Sequence, residues 1–554
     1  MAELVAPQNV AHPEQDPRWS TLTQYATGLA PGYGWGSRPF VQSSDIQVYR
    51  NKDNYLADAR DAARSNPYGK SALRVTADAI IGKELTLYLE PIASELGVSE
   101  DEAQAWASMV ENKWNAAASS PACHMDAQRK QSFTGLMRTA YQEFYSGGEC
   151  LAVSKWKPST NGQRTCLLLV ASERLSDPRG MMDYTGRRRM GVERDEDGAP
   201  TAYHIRDKHP TDSMLFGPPD PLTWKRIPRR NAWGRWNVLH YFEQDRCDMT
   251  RGISSFTTAL LPMRLLQDYL TNELESAAIR ATYAAVIESK LDYEEAMKVI
   301  GDEYANTLQK NPTLDFTMRM MADKAAFYRG QEFRFGKSKV AHLLPDEQLK
   351  MVQGNNHTSG LRDFADVNTY LLSSALGVAR ESLTKDYTQT NYSGARAALY
   401  DVWRSYEVQR ERFIDSVAWP FFVNWLEEMV ALRGEIPMLG KKNFYEVIDA
   451  LSYGTFETWA KPRLDPVKET QADMLLYKAG AMSLRDLARN DGQSDWRRTL
   501  RYRAQEKAEM DALGLEPSDI DWDLIGDALR AGDEGPNGGQ SSSAKSSSSK
   551  SKKK

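Results

Sequence analysis

A chain of 554 residues, at about 150 residues per domain, holds material for three or four packed units and excludes a single small module. With 70 Lys and Arg against 75 Asp and Glu, 41% hydrophobic residues and 26% charged ones, it has the composition of a globular protein with a sizeable core. Five Lys and no acid fall in Ser541 to Lys554, which leaves −10 on residues 1 to 540, a balance that disfavours gripping nucleic acid through many phosphates.

Residues Met1 to Ser44 read as an arm, punctuated by Pro7, Pro13, Pro17 and the run Pro31-Gly32-Tyr33-Gly34-Trp35-Gly36. The pattern turns helical from Asp45. Ser65-Asn66-Pro67-Tyr68 is a helix start, with Asn66 able to cap free amides and Pro67 suited to the first turn. Gly82 closes that helix, and Leu85 to Leu89 reads as a strand. Ser99 and Glu102 form a capping box before a helix whose Ala103, Trp106, Val110 and Trp114 share a face, and Phe133 to Phe144 repeat at the same period. Strands are expected over Glu149 to Trp156, Thr165 to Ala171, Met190 to Arg194, Ala202 to Ile205 and Trp236 to Phe242, with Asp197-Gly198 as a hairpin signal. This order indicates α+β rather than repeated βαβ units.

Ile253 to Lys290 contains Pro262 as its only helix breaker and predicts one helix of about 55 Å. A second helix is expected from Ser359 to Leu376. Ala379 to Tyr392 reads as a polar loop, Ser393 to Leu432 as a very long helix kinked at Pro420, and Val467 to Leu513 as helices broken at Gly480 and Gly492. From Asp533 onward the composition is that of disorder.

No apolar run approaches the ~18 residues of a membrane span, and the first thirty residues lack the pattern of a secretory signal. Four scattered cysteines (Cys123, Cys150, Cys166, Cys247) suggest reduced, buried thiols. None of the seven histidines stands in a catalytic motif; His204 and His209 read as surface residues beside a turn. Asp195-Glu196-Asp197 and the acids after Ser99 fit a hairpin turn and a helix start better than a metal site. Arg187-Arg188-Arg189, Arg229-Arg230 and Arg497-Arg498 read as solvated faces or interface rims, too far apart in sequence for one continuous stripe.

The succession of Ser65-Asn66-Pro67-Tyr68-Gly69 leading into Ala79-Ile80-Ile81-Gly82, Thr250-Arg251-Gly252-Ile253-Ser254-Ser255, Tyr283 to Ser289, Leu376-Gly377-Val378, Leu383 to Tyr387 and Asn391 to Arg396 resembles the lambda-type family of tailed-bacteriophage portal proteins. The resemblance implies an elongated, multidomain α+β ring-forming portal fold, with a mixed α/β wing, long stem helices, a small clip and a helical crown. By position, residues 1–44 become an N-terminal arm, 45–252 the wing, 253–290 and 359–376 the stem helices, and 291–358 the clip. Residues 379–392 become the channel loop, 393–466 the long wing helix and its return, 467–515 the crown, and 516–554 a flexible tail.

The implied role is a closed ring, typically of twelve copies, at one capsid vertex of the virion, assembled in the host cytoplasm. Double-stranded DNA is packaged and ejected through it. The implied partners are the terminase large subunit, major capsid and scaffold proteins, and head-completion or connector proteins, with no membrane, cofactor, metal or catalytic residue. Channel-loop candidates are Lys385, Thr384, Thr388, Gln389 and Thr390. Lys385 reads equally as a transient DNA contact and as a plain exposed lysine. Ala277, Ala281 and Ala284 are candidates for close subunit packing along the stem, or for an ordinary internal core. A metal-dependent DNA-processing enzyme and a capsid or tail component without a channel remain the alternatives.

Overall fold

The computed structural model describes residues 43–178, 186–209, 211–212, 223–282, 286–289, 334–335, 338–339, 347–350, 358–388, 392–458, 463, 465–490 and 496–514. Nearly all of the expected arm and all of the expected tail therefore lie outside the described residues. Helices and antiparallel sheets are mixed along the chain. Among the described residues no helix is long and apolar enough to cross a membrane. The chain divides into two compact units, one drawn from Asn51–Ala72 and Ser255–Asp386, the other from Ser43–Arg50, Leu73–Ser254 and the residues from Tyr387 on.

The larger unit is built on helix starts that local chemistry dictates. Ser99 and Glu102 form the capping box that opens Glu100–Ala118, and Ser132 caps Phe133–Gly147 through the Gly135 amide. These two helices bury Trp114 and Phe133 against Phe421, Phe422 and Trp425. The Trp114 ring lies 4.9 Å from Phe133, 5.2 Å from Phe422 and 5.1 Å from Trp425, each edge to face. Such pairs add about 0.5–1.5 kcal/mol each beyond burial, so this cluster is a major source of the unit's stability.

Glu149–Trp156 is the centre of a three-stranded antiparallel sheet between Thr165–Val170 and Val238–Phe242. A second, four-stranded sheet runs Arg188–Arg189, Val192–Arg194, Pro200–Arg206, Trp224–Pro228. The strand expected over Met190 to Arg194 forms over Val192–Arg194, and its first two residues are instead the turn of a hairpin with Arg188–Arg189. Met190 (φ 49°) and Gly191 (φ 84°) are both left-handed, which is the geometry a two-residue turn needs to match strand twist. The Asp197-Gly198 turn forms as expected, with Asp195 Oδ1 accepting the Asp197 and Ala199 amides. Trp224–Pro228 and Gly454–Glu457, which pairs with Thr86–Leu89, are strands that the sequence pattern did not reveal.

The long helix after Tyr392 runs to Leu432, but its ladder is not uniform. Ile414–Ala418 and Glu428–Leu432 are π turns. The first lies just before Pro420, which falls in the first turn of Trp419–Glu427 where a missing N–H is tolerated, so the expected disruption is taken up upstream of the proline. The second leaves Glu427 and Glu428 both buried. Glu428 accepts the Arg164 and Thr165 amides at 2.7 Å each, and Glu427 takes Trp233, Arg235 and Tyr445.

Arg251 joins the two sheets. It is 2% exposed, and all five of its N–H groups are used. Nε donates to Glu149 Oε2 at 2.7 Å and one Nη2 hydrogen to Glu149 Oε1, while the rest reach the carbonyls of Leu175, Met190 and Ser172. His240 Nε2 lies 3.0 Å from the same carboxylate. The flanking glycines are forced by this docking. A Cβ on Gly252 would overlap the Gly148 carbonyl oxygen, and one on Gly148 (φ 84°) would overlap the backbone of Ile253 and Ser254. Asp45 secures the next turn by accepting the Thr250 amide and hydroxyl and the Arg189 guanidinium.

In the smaller unit the expected helix Ile253 to Lys290 is shorter. It spans Leu260–Thr282, and β-branched Val286 and Ile287 lie in a strand, Val286–Ser289, paired with Glu347–Lys350. Pro262 stands in the helix's first turn, so it starts the helix rather than interrupting it. Thr358–Leu376 forms as expected and packs on this helix, the Tyr269 and Phe364 rings 4.3 Å apart. Asn66 caps Pro67–Ile80 through the Tyr68 and Gly69 amides. Of the cysteines, Cys150 and Cys166 are buried free thiols pushed up by burial, whereas Cys247 is exposed, contrary to expectation.

Arg251→Met strips a buried carboxylate of its main partner and is expected to cost about 3–5 kcal/mol. Urea unfolding of the purified chain checks this; a loss under about 1 kcal/mol would show that Glu149 finds other compensation.

Candidate functional site

The segment after Leu376 is not the plain loop its polar composition suggests. Gly377 (φ 63°) ends the helix, and Ser373 and Val378 close the turn by exchanging two hydrogen bonds. Arg380–Thr384 then makes a short helix, seated by Leu383, which is 2% exposed. Arg380 holds it to the preceding helix by pairing with Asp366, donating to the Tyr370 hydroxyl at 2.8 Å and lying 4.3 Å from that ring's centre. Ser71 Oγ donates to the Ser382 carbonyl from the other side. Four of the five residues of Arg380–Thr384 are polar, but one buried leucine and one arginine clamp decide the conformation.

Lys385 is the residue that ends this short helix. Its backbone is left-handed (φ 60°, ψ 21°), its amide donates to the Glu381 carbonyl at 2.8 Å, and its side chain is exposed. Thr384 Oγ1 donates to the Arg380 carbonyl and accepts the Asp386 amide, so its role is internal. Asp386, Tyr387 and Thr388 are exposed beside Lys385. Gln389 and Thr390 lie outside the described residues. Ala277 and Ala281 fall on the helix Leu260–Thr282, with side chains outside the described set, and Ala284 lies outside the described residues. Thr384 and Lys385 thus belong to the end of one short capped helix, and Thr388 follows them in sequence as an exposed residue.

Two expected surface features change character. Arg188 and Arg189 pair with the largely buried carboxylates of Asp177 and Asp45, although Arg189 stays partly exposed, and Arg187 pairs with the exposed Glu196. His204 is engaged by Glu193, which Arg226 also grips; that guanidinium, more than the histidine, holds the Glu193 carboxyl below its usual range. His209 turns to Thr211. Among the described residues no three potential metal-ligating side chains converge. The Arg251–Glu149 junction was missed by sequence reasoning, because its two residues lie 102 positions apart and only the fold brings them together.

The chain matches the family described as phage portal protein, lambda family, over residues 34–410. It belongs to that family. Curated relatives include the portal protein of Escherichia phage N15, 29% identical over 507 residues that cover 90% of this chain and 93% of the relative. Portal protein B of Escherichia phage lambda is 29% identical over 506 residues, covering 90% and 92%. Among solved structures, a chain of the native gene transfer agent virion is 14% identical with a TM-score of 0.41, covering 84% of this chain and 98% of its own. One from the neck of the same type of particle gives 14% and 0.38, covering 78% and 90%. As a portal protein the chain is a structural component of the virion.

A left-handed lysine is strained by its own Cβ. Lys385→Gly is expected to retain the cap and slow exchange of the residue-385 amide, while the β-branched Lys385→Val costs about 1–2 kcal/mol locally and speeds it by roughly tenfold. Hydrogen exchange read at that amide checks both; equal rates in the two variants would contradict the strain argument.

Proposed function

We propose that copies of this portal protein close into a ring, typically of twelve, at one capsid vertex, and that double-stranded DNA enters and leaves the head through its axis. The single observation that carries this reading is the family match, which runs unbroken from residue 34 through both long helices and the short Lys385 helix to residue 410. In this reading residues 45–252 are the wing, 253–290 and 359–376 the stem, 291–358 the clip and 379–392 the channel loop. Residues 393–466 carry the long wing helix and its return, and 467–515 are the crown. The paired helices continued by paired strands, Val286–Ser289 with Glu347–Lys350, suit a stem leading to a clip.

Apolar side chains support assembly. Leu274 on one stem helix, Val367, Tyr370 and Leu371 on the other, and Leu475 in the crown are 53–71% exposed in the single chain, and head-to-tail contacts around a ring would cover such surfaces. The acidic balance of residues 1–540 suits a conduit, because each fixed phosphate contact would become a trap on a repeating polyanion. Lys385, held on a rigid cap, supplies an isolated cation for transient contact. In this reading the terminase large subunit and connector proteins meet the clip, and capsid and scaffold proteins are further partners.

Mass measurement of the purified full chain is expected to find a particle of about a dozen copies; a stable monomer at high concentration would overturn the ring. Lys385→Ala is expected to leave that mass unchanged and to alter packaged DNA length or retention. Normal packaging in the variant would remove the lysine from the mechanism.

A further inference from the structure

Thirteen residues of the larger unit, Trp224 to Trp236, hold five cations, three tryptophans and no acid. The fold adds to them. The loop between the strands Trp224–Pro228 and Val238–Phe242 meets the end of the Glu149–Trp156/Thr165–Val170 hairpin, and the side chains interleave. Arg235 lies 5.0 Å from the Trp156 ring centre and Arg164 6.0 Å from it. Arg229 and Arg230 lie 5.1 and 3.7 Å from that of Trp236. The Arg229-Arg230 pair thus shares one end of the sheets with Arg164, which lies about 65 residues earlier in the chain.

The base of this cluster is fixed and neutralised. Arg235 is buried on Glu427, which also accepts the Trp233 indole N–H at 3.0 Å and the Tyr445 hydroxyl at 2.8 Å. Its outer layer is not neutralised in the same way. Arg164, Arg229 and Arg230 have no salt bridge among the described residues, and Asp449 acts on Arg230 only from longer range. Trp156 and Trp233 remain 47% and 58% exposed. A concentration of cations and exposed indoles on a body that is acidic overall is a surface shaped for an anionic, partly apolar partner.

The chain carries a segment of that chemistry just beyond the last described residue, Gly514. Residues 515–534 contain seven acids, Glu516, Asp519, Asp521, Asp523, Asp527, Asp533 and Glu534, against the single cation Arg530. Asp519-Ile520-Asp521-Trp522-Asp523-Leu524 alternates acid with apolar residue without a break. We propose that residues 515–534, from the same or a neighbouring copy, dock on the arginine–tryptophan surface formed by Trp156, Arg164, Arg229, Arg230 and Trp233. The aspartates meet the unpaired guanidinium groups, and the apolar residues cover the exposed indoles.

The test uses the full-length chain with Asp519→Asn, Asp521→Asn and Asp523→Asn, which weakens its own segment's hold, and a fluorescein-labelled peptide of residues 515–534 followed by anisotropy. This variant is expected to bind the peptide at least tenfold more tightly than the parent chain, whose surface is already occupied. Adding Arg229→Glu and Arg230→Glu should abolish that gain, and a peptide with Lys at 519, 521 and 523 should recover it, which separates lost charge from misfolding. Equal binding by variant and parent would overturn the proposal. So would binding unaffected by the charge reversals, or equal binding of a scrambled peptide of the same composition. A DNA duplex that displaces the peptide with the same dependence on Arg229 and Arg230 would assign the surface to nucleic acid instead.

Discussion

The fold depends on a buried charge pair. Removing a guanidinium and a carboxylate from water costs several kcal/mol per ion, and only a nearly complete set of partners offsets it. Arg251 and Glu149 have that set, and the requirement propagates outward. Three carbonyls from two separate turns must aim at one guanidinium, so the three-stranded and four-stranded sheets are fixed against each other at Ser172, Leu175 and Met190. Gly148 and Gly252 must lack side chains for the backbones to meet. Asp45 and Thr250 then fix the turn just before.

What could be read from the residues was local. Asn66-Pro67, the Ser99 and Glu102 box and Asp195 before Gly198 each satisfy their own backbone amides within a few residues, and their turns and helix starts form as expected. The failures lie where distant residues decide. Periodicity carried Ile253 to Lys290 past Thr282, because an apolar stripe does not show where β-branched Val286 and Ile287 find a strand partner at Leu349 and Lys350. Polar composition hid the helix Arg380–Thr384, which rests on Leu383 burial and the Arg380 clamp. Lys385 was legible as a loop cation, but not as a strained cap. Arg229, Arg230, Arg235 and Arg164 could be counted but not assembled, since only strand pairing brings Trp156 to Arg235.

The portal role places opposing demands on such a chain. Copies must hold each other firmly while the axial surface holds DNA weakly. The observed distribution of chemistry separates these tasks. Aromatic packing around Trp114 and the Arg251 junction give each copy its rigidity internally, without calling on surface charge. Apolar side chains left exposed on the helices Leu260–Thr282, Thr358–Leu376 and Pro466–Lys478 are available for neighbours. The cations of the larger unit are largely engaged with carboxylates or indoles, which leaves the acidic balance to govern long-range encounters with a polyanion.

End-on images of the purified full-length assembly test this account most directly. It predicts a closed ring with a continuous axial hole, the short helix of Lys385 at its narrowest part and a lining that is electronegative on balance. Particles dense along their symmetry axis, or a bore lined throughout by cations, would contradict it.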